Sequence, residues 1–288
     1  MPDRERVAEG SSENSRAESR MIMRFTLAQR YLHAVLFTTF LGLAATGLTL
    51  RFSESIWARG LARGVGGFGA ILFFHKLCAV VLSVAFLIHL KEIFVRGVIK
   101  REKGIFWGAT SMVPNWQDVK DIFGHFRWFL GAGPKPQFDR YAYWEKFDYW
   151  AVFWGMIVIG FSGYAMWFAP FFARFMPGWA LNAVLIIHGE EGLLAILFIF
   201  SIHFVNTHLR PESFPMDMVI FSGVESEEEF KTKRSREYQR IAAQGKLEAR
   251  LAEAPGIWQT NFCKVIGFTA ILIGLVLLVL TLSAYLRE

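Results

Sequence analysis

Cysteine is almost absent: the 288 residues hold two, Cys78 and Cys263, each inside an apolar run. Two isolated thiols exclude a disulfide scaffold and a thiolate metal site, so both read as small buried residues. Charge is also scarce. Asp, Glu, Lys and Arg make up 19% of the chain against 53% hydrophobic residues, and the mean hydropathy is +0.33. Such values are high for a soluble domain and ordinary for a membrane protein. No apolar core with a cleavage site lies near Met1, so the polar opening residues are expected to be a disordered cytoplasmic tail and not a signal peptide. The net charge of +6 does not point to nucleic acid. The basic residues lie in loops beside apolar spans, where membrane orientation explains them.

What the chain has in quantity is apolar helix. Its 29 Phe and 10 Trp suit lipid-facing surface and interfacial belts. Five spans are predicted, at about 31–50, 70–94, 149–168, 181–205 and 262–285. The expected fold is an all-α integral membrane protein: a four-helix bundle over 24–210 and a fifth transmembrane helix in 258–288, which anchors the chain or packs against a partner. A tail covers 1–23, a long polar and aromatic loop 95–147, and a charged segment 211–257, within which 225–254 reads as one amphipathic surface helix. Most Lys and Arg fall in the tail, the second-to-third loop and the fourth-to-fifth loop. The positive-inside rule therefore puts the N-terminus in the cytoplasm and the C-terminus outside.

Histidine placement carries the chemistry. His188 and His203 bracket a run that is apolar from Leu193 to Phe200. At about 1.5 Å per residue they sit roughly 22 Å apart along a helix, much of a hydrocarbon core of about 30 Å. His75 and His89 bracket the second span in the same way. Intramembrane imidazoles are costly for an idle helix. Two helices with a histidine near each end can hold two stacked haems, one per leaflet, with two neutral imidazoles on each iron. His75 and His188 both begin outside-to-inside helices and match in depth. The inner mate of His203 stays open among His33, His89 and an arrangement involving His208, and the histidine count would allow a third haem. The step from His75 to His89 keeps one face. The step from His188 to His203 is one residue longer and rotates the second ring by about 100°, which a change of tilt or a local bulge must absorb. The alternative is a set of histidines hydrogen-bonded within the bundle, or a proton relay with Glu190 and Glu191. Lys76 could pair with Glu190, Glu191 or a haem propionate, or all three could be solvated. No Cys-x-x-Cys-His occurs, so covalent haem attachment is excluded.

These residues resemble the cytochrome b subunit of membrane-bound formate dehydrogenases, thiosulfate reductases and nickel–iron hydrogenases over about 24–210. Arg30-Tyr31-Leu32-His33 is similar to the family's first-helix opening, followed by Thr46-Gly47. Phe74-His75 is similar to its second-helix ligand. Lys146-Phe147-Asp148-Tyr149-Trp150 with Ser162-Gly163 resembles its third helix, and Ile187-His188, Gly192 and Ile202-His203 its fourth. The resemblance implies a four-helix bundle with two haems b, ligated by His75 with His188 and by His33 with His203. It departs at the extra His89, at the longer fourth-helix spacing and in the fifth helix. The stretches 115–146 and Asn206-Thr207-His208-Leu209-Arg210-Pro211 look more like cytochrome b proteins that accompany multihaem cytochromes c. The family places quinone beside the inner haem. The matching segment carries Tyr143, Glu145 and Lys146, with His208 nearby, as candidate quinone or proton residues; a carboxylate such as Glu145 could take protons from a quinol. Interfacial anchoring is the other reading of the same residues.

The expectation is a dihaem cytochrome b of the bacterial inner membrane. It would be an electron-transfer subunit without its own catalytic centre for another substrate, working between the quinone pool and a periplasmic iron–sulfur or multihaem c partner. A transporter with a His/Glu proton relay and a structural anchor are the competing classes.

Overall fold

The protein is described by a computed structural model over residues 20–286. The expected tail lies outside the described residues up to position 19. In chain order the helices longer than a single turn are α1 (Leu27–Arg51), α2 (Ile56–Val65), α3 (Phe68–Ile99), α4 (Trp116–Phe129), α5 (Tyr143–Trp167), α6 (Gly178–Leu209), α7 (Glu227–Lys233), α8 (Ser235–Ala243) and α9 (Ile257–Tyr285). Five of them, α1, α3, α5, α6 and α9, are long and apolar enough to cross a membrane. The fold is all-α and of the multi-pass membrane class.

Local chemistry sets the helix ends. Thr26 and Gln29 form a reciprocal cap on α1, Thr26 Oγ1 accepting from the Gln29 amide at 3.3 Å and Gln29 Oε1 from the Thr26 amide at 3.0 Å. Gly66 and Gly67, with φ of +109° and +96°, make the left-handed turn from α2 into α3 that a side chain would strain. The third span starts at Tyr143, six residues before its apolar core at 149, because Glu145 Oε2 accepts from the Ala142 amide at 2.7 Å and closes the first turn.

The interior is built from Leu48 of α1 and Phe52 at its C-cap, Ile196, Phe200 and Phe204 of α6, and Leu277 of α9. The fifth helix thus packs on its own bundle. Gly274 of α9 lies against the Phe200 and Phe204 rings, where an added Cβ would fall 2.7 Å from Phe204 Cζ. Elsewhere the spans present exposed apolar side chains such as Phe73, Leu87, Trp154 and Ile186, as lipid-facing surface requires.

One end of the bundle carries a polar layer that the sequence did not suggest. β1 (Met21–Met23) lies between β2 (Val224–Ser226) and β3 (Leu251–Ala252), antiparallel to both. Ile22, Phe230 and Ile241 bury each other beneath this small sheet. Residues 21–23 are therefore strand and not tail. The single amphipathic helix expected over 225–254 is replaced by strand, two short helices and strand. Ser226 caps α7, accepting from the Glu229 amide at 3.2 Å; Arg234, at φ −132°, separates α7 from α8; Gly245, at φ +64°, stops α8. The 95–147 stretch is likewise not all loop. Asn115 caps α4 within it, Oδ1 accepting from the Gln117 amide at 2.8 Å. Ion pairs tie the three polar segments together: Arg24 with Glu225 and Glu237, Arg140 with Glu237, Arg236 with Asp121, Arg240 with Asp139. The segment from β1 to Arg24, the second-to-third loop and the fourth-to-fifth loop thus share one side of the bundle, as five alternating spans demand.

Candidate functional site

The site begins with two side chains at the end of the bundle away from the polar layer. His75 of α3 and His188 of α6 face one another, ring centres 6.2 Å apart and planes crossed at 77°. An iron held between two imidazoles by metal–nitrogen bonds of about 2 Å puts the ring centres about 6 Å apart. The pair is at that separation.

The flanks decide which nitrogen is free. His188 Nδ1 lies 3.1 Å from the Ile159 carbonyl and 3.2 Å from Ser162 Oγ. A carbonyl only accepts, so Nδ1 carries the proton and Nε2 keeps its lone pair. His75 Nδ1 lies 2.9 Å from Thr46 Oγ1. That hydroxyl donates to the Gly42 carbonyl at 2.6 Å, so it accepts from His75, and the same tautomer follows. Each ring is oriented through Nδ1 and open at Nε2, the arrangement that metal-binding histidines need.

One device serves both rings. A hydroxyl residue followed by glycine, Thr46-Gly47 on α1 and Ser162-Gly163 on α5, supplies the acceptor and then the gap. A Cβ at Gly47 would fall 3.3 Å from His75 Cε1, and one at Gly163 would fall 3.0 Å from His188 Cε1. The backbone contributes as well. α5 widens into a π turn over Met156–Gly160, and Ile159, whose carbonyl takes the His188 proton, lies within it. π turns inside helices are frequent at functional positions.

At the polar end, His203 Nδ1 lies 3.0 Å from Asp148 Oδ2, again leaving Nε2 open. Asp148 Oδ1 is buried without a hydrogen-bond partner. A π turn over Ile199–His203 lies within the His188-to-His203 step, a local bulge of the kind that the spacing allowed beside a change of tilt. His33 of α1 packs on Phe37 at 5.8 Å. His208 lies 6.3 Å from His203, planes at 89°, with its Nδ1 buried and unpartnered. Both rings stand on adjacent turns of α6, so they cannot grip one iron from opposite sides without the macrocycle crossing their own helix. His89 is turned elsewhere: its Nε2 meets the Tyr149 hydroxyl at 2.9 Å, and its Nδ1 is buried without a partner.

Three of the four candidate quinone residues are occupied. Glu145 gives one oxygen to Arg234 at 2.6 Å and the other to the Ala142 amide. Lys146 pairs with Asp118 at 2.8 Å, both buried. The Tyr143 hydroxyl meets His125 Nδ1 at 3.0 Å. Burial, with Arg210 and Lys135 adding to it, pushes the His125 imidazole below its ordinary value. These contacts favour the anchoring reading of the three and leave His208 as the candidate with an unpartnered nitrogen. Glu145→Gln should cost about 1–3 kcal/mol through loss of the charge opposite Arg234, read as a lower melting temperature; an unchanged melting temperature would mean that the pair does not anchor this segment.

Lys76 pairs with neither glutamate. It sits 4.8 Å over the Trp167 ring, Glu190 pairs with Arg51 at 2.9 Å, and Glu191 accepts from Trp154 Nε1 at 3.3 Å. No group of three or more His, Cys, Asp or Glu able to hold a bare metal ion occurs among the described residues. The arrangement is one of pairs, and a haem, bringing four nitrogens of its own, asks the protein for two.

No family model and no curated protein matches this chain.

Sequence reasoning assigned no role to Thr46, Asp148, Ile159 or Ser162. A usable signal existed for two of them, since a Thr-Gly or Ser-Gly step inside an otherwise apolar span is an acceptor beside a gap.

Proposed function

We propose that this chain is a dihaem b-type cytochrome, the membrane subunit of a respiratory oxidoreductase of the bacterial inner membrane. Electrons would pass between a periplasmic iron–sulfur or multihaem c partner and the quinone pool. The observation that carries the reading is the His75–His188 pair: two rings at the separation of a shared iron, each held through Nδ1 and open at Nε2. Haem, when bound, supplies the one-electron couple.

The chain's own residues do the rest. His75 and His188 hold the outer iron, with Thr46, Ser162 and the Ile159 carbonyl fixing their tautomers. His203 and His33 hold the inner iron. Asp148 keeps the His203 proton on Nδ1, and the carboxylate makes that imidazole a stronger donor. His89 has its Nε2 engaged by Tyr149 and is left out of the inner pair. His208 is the group for proton exchange with quinol, having a free nitrogen at the polar end. The basic layer marks the cytoplasmic side. The partner docks at the other end, near 51–69 and 170–179. A proton-relay transporter draws no support from Glu190 and Glu191, which are held by Arg51 and Trp154.

A pyridine-haemochrome assay on the purified chain tests the reading and should return two haems b per chain; a colourless protein ends it. His33→Ala should abolish the inner-haem signal while His89→Ala keeps both signals. The opposite result would make His89 the inner ligand.

A further inference from the structure

Among the described residues, α4 is the helix whose faces are reversed with respect to the protein. At about 100° per residue, Asp118, Asp121 and His125 share one arc of its circumference, and all three are buried against the protein. Asp118 meets Lys146 at 2.8 Å, Asp121 meets Arg236 at 3.1 Å and His125 meets Tyr143 at 3.0 Å. The opposite arc holds Trp116, Phe123 and Phe126, continued by Leu130 at the C-cap, exposed by 70%, 64%, 63% and 81%. Two exposed cations, Lys120 and Arg127, run along one edge of that apolar arc. A helix on a water-facing surface has its polar side outward. This one is fastened inward by its charges and presents aromatics outward.

The level of the helix follows from what it is tied to. Lys146 and Tyr143 belong to the first turn of α5, and Trp150 Nε1, one turn further in, donates to the Met112 carbonyl at 3.1 Å just ahead of α4. The segment is thus pinned at the depth where the third span enters the apolar zone. That span presents exposed apolar side chains of its own, Phe147 and Trp154 among them.

We propose that α4 is an interfacial helix, lying in the plane of the membrane with Trp116, Phe123, Phe126 and Leu130 in the headgroup and acyl boundary and with Lys120 and Arg127 at lipid phosphates. The occupant of the face is lipid and not a protein partner. Aromatics on the apolar side and Lys or Arg beside them are the composition that such helices use, and the same face left in water would be an aggregation hazard. The assignment does not depend on haem binding. It makes α4 a float that holds the polar layer at a fixed height over the third span.

Spin-label accessibility in nanodiscs containing anionic lipid tests it, using the full chain with Cys78→Ala and Cys263→Ala. A nitroxide at Phe123→Cys should meet oxygen several-fold more often, relative to a water-soluble nickel chelate, than one at the water-facing Gln244→Cys. It should be shallower than one at the mid-span Leu87→Cys, at a depth of about 5–10 Å below the phosphates. A Phe123 label as open to nickel as the Gln244 label would overturn the proposal. So would one closed to both reagents, which would mean that protein covers the face. Phe126→Cys gives the same readout if Phe123→Cys fails to assemble.

Discussion

Replacing His188 with alanine should yield a protein that still inserts but carries about half the haem of the wild type, the outer signal being lost and the inner one kept. The expectation rests on division of labour along α6. His188 and His203 are each oriented by their own partners, Ile159 and Ser162 for the first and Asp148 for the second, and no partner is shared. Sites without shared partners respond separately. His75→Ala should give the same half-occupied product, because the two rings face each other at 6.2 Å. Ser162→Ala is the finer probe. It leaves the Ile159 carbonyl as an acceptor and removes one of two contacts to Nδ1, so haem should still bind at stoichiometric protein concentration, with affinity weakened about 10-fold or somewhat more. The haem-to-protein ratio of each variant checks the series. Full haem in His188→Ala would show that His188 is not a ligand. Equal loss of both signals would show that the two ends are one cooperative unit, and the separate-pair reading would fail.

The spans were legible because the membrane imposes a coarse rule, about twenty apolar residues in a row, and the chain follows it from Leu27 to Arg51 and again four times. Their starts were less legible. The third span begins at Tyr143, within a stretch dense in ionisable groups, because Glu145 spends its charge on a backbone amide and on Arg234. Hydropathy cannot see that pairing. The facing of His75 and His188 was readable from equal depth alone. The choice among His33, His89 and His208 was not, because it depends on which rings have a nitrogen engaged, and Tyr149 and Asp148 act on their histidines from another helix. The one-residue excess between His188 and His203 announced a change of tilt or a local bulge without saying which; the structure has a π turn at Ile199–His203.

The polar layer was hidden for a different reason. Its strands are two or three residues long, and Met21–Met23 is an apolar run of only three residues between Arg20 and Arg24. No periodicity can show in so short a run. Its partners lie about two hundred positions away, at Glu225 and Leu251, so pattern within a window carries no trace of them. α4 was missed although a cap signal, Asn115 with Asp118, preceded it. Its apolar residues face out and its charges face in, the reverse of the stripe that marks a helix packed on a soluble core.

Glu237→Gln should destabilise the polar layer by about 3–5 kcal/mol, the largest stability effect expected of a single substitution in the segment after α6. Glu237 is wholly buried. Its two oxygens take Arg24 Nη1 and Arg140 Nη1, each at 3.4 Å. The two arginines also brace each other's backbone, Arg140 Nη2 donating to the Arg24 carbonyl at 2.9 Å and Arg24 Nη2 to the Arg140 carbonyl. Arg24 leads into α1, Arg140 leads into α5, and Glu237 belongs to α8, so one carboxylate clasps three segments that are remote in sequence. Desolvation already pulls the Arg24 guanidinium below its ordinary value, with repulsion from Arg234 adding to it. Removing the charge at Glu237 leaves two buried cations side by side, with Glu225 still paired to Arg24, and breaking a buried pair from one side costs more than the pair contributed when whole. The bundle has its own core of Leu48, Phe200, Phe204 and Leu277, so the layer should loosen first. Limited proteolysis should cut 224–252 in the variant at temperatures that leave the wild type intact, while the haem ratio stays at the wild-type value. A variant that melts and resists protease as the wild type does would mean that the sheet of β1, β2 and β3, and not the charge clasp, holds the layer.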